Sequence, residues 1–206
     1  MKETASLILA SASPRRAQIL RDAGIAFEII APRVEEIIMP GESAESMVLR
    51  LAEAKARAAA EVLRAEKRRV LVLGADTTVV AGADGTTILG KPTSSEDAAR
   101  MLRLLSGRTH RVLTGIAVIR LPDGEFRSAV ESTRVTFAQI DEDEIARAIA
   151  SGEPFDKAGA YAIQGRAGRW VERVDGCYFN VVGLPLHRVC ALLGELGWPG
   201  DSELNR

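Results

Sequence analysis

Two short runs of consecutive apolar residues constrain this chain more than any other feature: Leu7-Ile8-Leu9, and Val70-Leu71-Val72-Leu73. Both are short and unbroken by polar residues, which suits a buried strand better than a helix. The segment after the first run has a helical pattern. Ser13 stands at the N-cap, Pro14 takes the first helical position, Ile19, Leu20 and Ala23 supply an inner face, and Gly24 stops the helix. The second run ends in Gly74-Ala75-Asp76. A chain that alternates such strands with amphipathic helices builds an α/β layer structure.

The remaining pattern adds antiparallel pieces. Phe27, Ile29 and Ile30 form a further apolar run, and Val48, Leu51, Ala58 and Val62 predict a helix from Ser43 to Leu63. Thr78–Ala81 and Thr86–Leu89 flank a turn containing Asp84-Gly85 and read as a hairpin. A helix from Ser94 to Gly107 is announced by Ser94, Ser95, Glu96 and Asp97. Two long β-rich runs, His110–Leu121 and Phe126–Ile140, are joined by Pro122-Asp123-Gly124, an antiparallel signal. Asp141 with Glu144 opens a helix that Gly152 ends, Pro185 starts a last helix reaching Leu196, and the tail beyond Trp198-Pro199-Gly200 is expected to fray. At 206 residues the expectation is a single α/β domain on a mixed, partly antiparallel sheet flanked by helices.

Charge and composition exclude several function classes. The 27 basic and 28 acidic residues leave a formal net charge of −1, so no global field draws the chain to a nucleic acid polymer or a membrane. Aromatics at 4% cannot supply the interleaved stacking stripe of a single-strand binder. The only two cysteines, Cys177 and Cys190, lack metal-site or disulfide-framework spacing. The apolar stretch in MKETASLILA is too short for a signal-peptide core or a membrane span, and the chain reads as soluble and cytoplasmic.

Arg15 and Arg16 fall in the first turn of the first helix, where the helix dipole opposes cations. Either they are solvated or pair with nearby acids, or an anion sits there. In the second case, backbone N–H groups, the hydroxyls of Ser11 and Ser13 and two guanidinium forks converge on phosphate oxygens. Lys55 is a second oddity, four residues after Leu51 and seven before Val62, hence on the apolar stripe of its helix. It either snorkels from the edge of that stripe or points into a cleft. Glu35 and Glu36 lie in an acidic loop, and Asp76 comes directly after a buried strand, where α/β sheets carry reactive residues. Beside a phosphate-binding turn, such carboxylates suit Mg²⁺ or Mn²⁺ and a base for water. The segment GTTILGK, Gly85 to Lys91, has P-loop spacing, but Pro92 stands next where a P-loop needs Ser or Thr, and the segment reads as a strand. Lys91 remains a candidate phosphate contact.

Taken together, S-x-S-P-R-R at Ser11 to Arg16, the pair Glu35-Glu36, Lys55, GADT at Gly74 to Thr77, LGKP at Leu89 to Pro92, DKAGAYAIQG at Asp156 to Gly165 and NVVGLPL at Asn180 to Leu186 resemble the Maf family of nucleoside triphosphate pyrophosphatases. The resemblance runs in order from about Leu7 to Leu193. It implies a Maf/ITPase-like fold with a central cleft, and hydrolysis of a nucleoside triphosphate between the α and β phosphates with a divalent metal. It also makes a homodimer a plausible partner state. By position, Asp76 matches the family's proton acceptor, and Glu36, Lys55 and Lys91 match its other essential polar residues. Ser11, Ser13, Arg15 and Arg16 match the phosphate-binding turn. Glu36 and Asp76 are the candidate metal ligands.

Gln164 bears on the base. Uracil or thymine presents a donor flanked by acceptors, which a carboxamide can match, whereas guanine presents two donors and suits a carboxylate. The chain resembles the branch acting on dTTP and UTP, with Arg16, Thr77 and Gln164 at that branch's specificity positions, although Ala162 stands where glycine is usual. Two other readings stay open: a nucleotide-responsive regulator of septum formation that does not hydrolyse, and a pyrophosphatase directed at 7-methyl-GTP or another purine. Asp156 and Lys157 read as a pair orienting the Gln164 loop. His110 and His187 lack the arrangement of catalytic histidines.

Overall fold

A computed structural model of the protein describes residues 6–64, 69–82 and 85–198. Among these residues the strands are β1 (Ser6–Ala10), β2 (Phe27–Ile29), β3 (Val70–Ala81), β4 (Thr87–Leu89), β5 (Thr109–Leu121), β6 (Phe126–Phe137) and β7 (Val171–Asp175). The helices are α1 (Pro14–Asp22), α2 (Ala44–Leu63), α3 (Ser95–Leu105), α4 (Glu142–Ala150), α5 (Tyr178–Val182) and α6 (Leu186–Glu195). The strands form one mixed sheet in the order β2-β1-β3-β5-β6-β7, with β4 paired to β3. Residue contacts divide the chain into two compact units, and the chain passes between them within β3, β5 and β6.

The first unit contains the chain up to Asp76, Thr114–Glu131 and the part from Gly183 onward. Here β1 runs parallel to β2 and to β3, with Ala10 opposite Gly74 at the end of the β1–β3 ladder. Helix α2 packs small residues on the sheet: Ala52, Ala56, Ala59, Ala60 and Leu63 share a core with Ile8, Val70, Val72 and Ala117. Two glycines permit the approach. A Cβ on Gly74 would lie 2.2 Å from the Ala52 carbonyl oxygen, and one on Gly115 would lie 2.2 Å from that of Val48. This close approach corrects the expected inner face of α2. Val48 and Leu51 are buried as predicted, but Val62 is 66% exposed, because the alanines rather than the larger side chain lie against the sheet.

The second unit contains Thr77–Leu113 and Ser132–Val182. The hairpin is present, with Val79 opposite Leu89 and Ala81 opposite Thr87; Asp84 of its predicted turn lies outside the described residues. Ser94 and Asp141 cap α3 and α4 as their sequences announce, accepting from the backbone N–H groups of Asp97 and Glu144. Around Phe137, the rings of His110, Tyr161 and Trp170 make edge-on contacts. Strand β7 and helix α5 have no counterpart in the sequence pattern. The tail predicted to fray is outside the described residues from Pro199 on. No helix among the described residues is long and apolar enough to cross a membrane.

Candidate active site

The junction between β1 and α1 begins with Ser11, buried directly after the strand. Its Oγ accepts from the Ser13 backbone N–H at 3.2 Å and from Arg16 Nη1 at 3.1 Å. Ser13 occupies the N-cap position and Pro14 begins the helix, as expected, but the Ser13 hydroxyl makes no capping hydrogen bond. No acidic residue stands in the first turn of α1 to offset its dipole.

Arg15 is half-buried. Arg16 is 8% exposed, and its guanidinium reaches inward to protein groups. Nη1 donates to the Ala75 carbonyl at 2.9 Å and Nε donates to the Gly183 carbonyl at 2.9 Å. Burial lowers its pKa, against the attraction of Asp76 and Glu36, while neighbouring Arg15 adds to the lowering. Arg16 therefore ties the junction to β3 on one side and to the segment before α6 on the other. The NVVGLPL motif thus acquires a physical purpose at Gly183, whose carbonyl anchors the arginine.

Asp76 corrects a second expectation. The sequence predicts that the Val70 strand ends at Gly74-Ala75-Asp76, yet β3 continues to Ala81 and Asp76 lies within it. Glycine and aspartate disfavour strands, which makes this triplet read as a terminator. Here Gly74 is required by the backbone of α2, and Asp76 lies two residues beyond the last pairing of β3 with β1. Asp76 is 7% exposed and its carboxylate is met by Lys55, whose Nζ donates to Asp76 Oδ1 at 2.6 Å. The same ammonium donates to Glu36 Oε1 at 2.6 Å. Lys55 thus carries its ammonium off the apolar stripe to two carboxylates, with 12% of its side chain exposed. Burial pushes the Asp76 carboxyl above its ordinary range; Lys55 and Arg16 oppose this, and Glu36 reinforces it.

Glu36 lies on a stretch without helix or strand, residues 30–43, and its side chain is 43% exposed. Sequence reasoning missed the residue that holds this stretch: Arg50 on α2 donates to the Ile37 carbonyl at 2.9 Å. Its position on an otherwise ordinary amphipathic helix carries no signal of that contact.

The other three candidate residues belong to the second unit. Thr77 is half-buried in β3, Lys91 is exposed just after β4, and Gln164 is exposed in a turn. Gly159 N–H donates to the Gly90 carbonyl at 3.0 Å, which joins the LGKP segment to the AGAYAIQG loop. That loop is bent at Gly159, with φ 68°, and at Ala160, a non-glycine residue with φ 61°. Ala162 has no such positive φ, so an alanine in place of the usual glycine costs the backbone nothing on that account. Tyr161 fastens the loop, its hydroxyl 2.8 Å from His110 Nε2. His110 is buried and held neutral by desolvation, in keeping with a structural part; Lys157 pairs with Asp156 as expected.

Among the described residues there is no cluster of three or more His, Cys, Asp or Glu side chains able to hold a metal. Two carboxylates brought to one point fit Mg²⁺ nonetheless, because that ion keeps several waters and takes one or two protein carboxylates plus substrate phosphates.

A family model described as Maf-like protein matches residues 6–196. The chain belongs to the Maf family. A relative from Geobacillus sp. (strain WCH70), named dTTP/UTP pyrophosphatase, is 50% identical to this Maf chain over 192 residues, covering 93% of it and 98% of the relative. One from Geotalea uraniireducens (strain Rf4), of the same name, is 48% identical over 198 residues, covering 96% of the chain and 98% of the relative. The structure of the Staphylococcus aureus Ham1 protein aligns with a TM-score of 0.52 at 16% identity, covering 93% of this chain and 99% of that one. At that identity, what the two share is the fold.

Proposed function

We propose that this Maf protein hydrolyses dTTP and UTP to the monophosphate and pyrophosphate. The observation that carries the reading is the single ammonium of Lys55, bonded at 2.6 Å to both Glu36 and Asp76, the latter on the strand β3 that Arg16 ties to the β1–α1 junction. The names of the relatives support the substrate pair.

In this reading the phosphate tail docks on the junction, against the N–H groups at the start of α1, the hydroxyls of Ser11 and Ser13, and Arg15. Arg16 holds that junction in shape from beneath. Asp76 accepts the proton of the attacking water: burial makes it a stronger base than an ordinary aspartate, while Lys55 keeps it ionised and aligned. Asp76 and Glu36 would hold Mg²⁺ or Mn²⁺, which when bound supplies charge neutralisation at the phosphate oxygens. Positioning and electrostatics of this kind are what phosphoryl chemistry chiefly asks of a protein. Lys91 and Thr77 are assigned phosphate and specificity roles, and Gln164 reads the pyrimidine edge with its carboxamide.

The test is a panel of nucleoside triphosphates incubated with purified protein and Mg²⁺, scored for monophosphate and pyrophosphate. Turnover of dTTP and UTP above the purines, abolished in Asp76→Asn with nucleotide binding retained, is expected. Preference for 7-methyl-GTP, ITP or XTP would overturn the base assignment, and no turnover of any nucleotide would favour a sensor.

A further inference from the structure

Glu36 poses a mechanical problem. It sits on an irregular segment whose apolar side chains next to it give no anchor, since Ile37, Ile38 and Met39 are 59%, 51% and 51% exposed, although Ile30 at the start of the segment packs on the core. Ordering such a segment costs roughly 1–2 kcal/mol of backbone entropy per residue, and one exposed ion pair returns little against that. Contacts made by the segment on either side of Glu36 therefore bear on how it is held at the ammonium of Lys55.

We propose that Arg50 is the positioning residue that presents Glu36 to Lys55, by clamping the acidic loop onto α2. Arg50 Nε donates to Glu42 Oε1 at 2.6 Å and Nη2 donates to Glu42 Oε2 at 2.6 Å, a bidentate fork. The same Nη2 donates to the carbonyl of Ile37, the residue after Glu36. Glu42 adds a second tie, accepting from the Met39 N–H at 3.4 Å, while its own N–H donates to the Met39 carbonyl at 3.1 Å. Glu42 immediately precedes Ser43, whose hydroxyl caps α2, so the far end of the loop is fixed to the helix start. Arg50 and Lys55 stand on one helix, separated by a rise of about 7.5 Å. The loop is thus gripped at two points of a single rigid rod, and Glu36 lies next to one of them. The Arg50 guanidinium also stands within the field of Asp76. A purely electrostatic part for Arg50 is therefore the rival to be separated from the clamp.

This inference rests on Glu36 being part of the site, and the experiment keeps the two apart. Steady-state dTTP hydrolysis with Mg²⁺ is measured for Arg50→Gln, Arg50→Lys, Glu42→Gln, Glu36→Gln and the double variant Arg50→Gln/Glu36→Gln. Amide hydrogen exchange across residues 35–42 and thermal midpoints are recorded for each. The expected result is a fall in kcat of about 10- to 100-fold in Arg50→Gln and Glu42→Gln with KM far less affected, the usual effect of losing a group that orients another. Arg50→Lys keeps the charge but cannot span Glu42 and the Ile37 carbonyl together, so it falls with them. Exchange across the loop accelerates in all three, and the double variant is no slower than Glu36→Gln alone.

Full turnover in Arg50→Lys would overturn the clamp in favour of a charge effect. Multiplicative losses in the double variant would overturn action through Glu36. Unchanged turnover in Glu36→Gln would sink the site reading itself, and loop exchange in the Arg50 variants would still report whether the clamp holds. Glu42→Gln leaves α2 intact and serves where an Arg50 variant folds poorly.

Discussion

Gly74→Ala tests how the site is held together. The added Cβ would lie 2.2 Å from the Ala52 carbonyl oxygen, 2.7 Å from Ala56 N and 3.0 Å from Ala56 Cβ. Ordinary contact begins near 3.4 Å, so the backbone of α2 must withdraw by about 1 Å from β3. The obstacles are mainly backbone atoms, which cannot swing aside as a side-chain tip can. Overpacking of this kind costs about 1–3 kcal/mol, or roughly 3–9 °C in Tm for a chain of this size. Lys55 moves with the helix. Its 2.6 Å bond to Asp76 stretches toward roughly 3.6 Å, beyond hydrogen-bond range.

Two measurements read the consequence. Urea unfolding shows the stability loss, and the pH dependence of kcat shows its acid limb moving to higher pH, because the contacts with Lys55 are what hold the Asp76 carboxyl down. A shift of about 1 Å in a site that works by positioning lowers kcat/KM by about 100-fold. Wild-type stability together with an unmoved acid limb would refute the claim that close packing of α2 on β3 places Lys55.

Three further outcomes are expected. Asp76 has its folded pKa above the unfolded value, so its contribution to stability is present below pH 3.8 and lost as pH rises through the raised value; Asp76→Asn should be inactive yet more stable than wild type at neutral pH, as denaturant titrations at pH 4 and pH 8 would show. His110 is depressed to about 4 by burial, so its contribution is complete above pH 6.5 and lost as pH falls toward 4; roughly 3 kcal/mol disappears across that window, and His110→Gln should flatten the acid side of the stability curve. Gln164→Glu presents a carboxylate where the carboxamide stood, so kcat/KM for dTTP and UTP should drop relative to GTP in a competition assay, with thermal stability unchanged because the side chain is exposed.

Much of the architecture was legible because its causes are local. Ser94 and Asp141 each cap the next helix, through a bond to a backbone N–H three residues on, and no distant contact is needed to form it. The apolar runs of β1 and β3 and the β3–β4 hairpin announce themselves in the same way, through pattern and turn chemistry within a few residues. The chemistry-bearing residues also stood out one by one, as charges in the wrong place: arginines at a helix start, and a lysine on an apolar stripe.

Tertiary structure alone decided what those charges do. Arg15 and Arg16 are adjacent and read alike, yet Arg16 is buried on the carbonyls of Ala75 and Gly183, which lie 59 and 167 residues away in sequence. Asp76 looked like the end of a strand and lies inside one, because Gly74 is needed by the helix packed over it rather than for a turn. Val62 has the character of a core residue and stays exposed, since the glycines of β3 and β5 select the small face of α2. Arg50 gave no sign of its grip on the loop beside Glu36. Composition and short-range pattern fix which residues are expensive to leave in water or to bury; which partner relieves that cost depends on distances set by packing between segments far apart in the chain, and no local pattern encodes them.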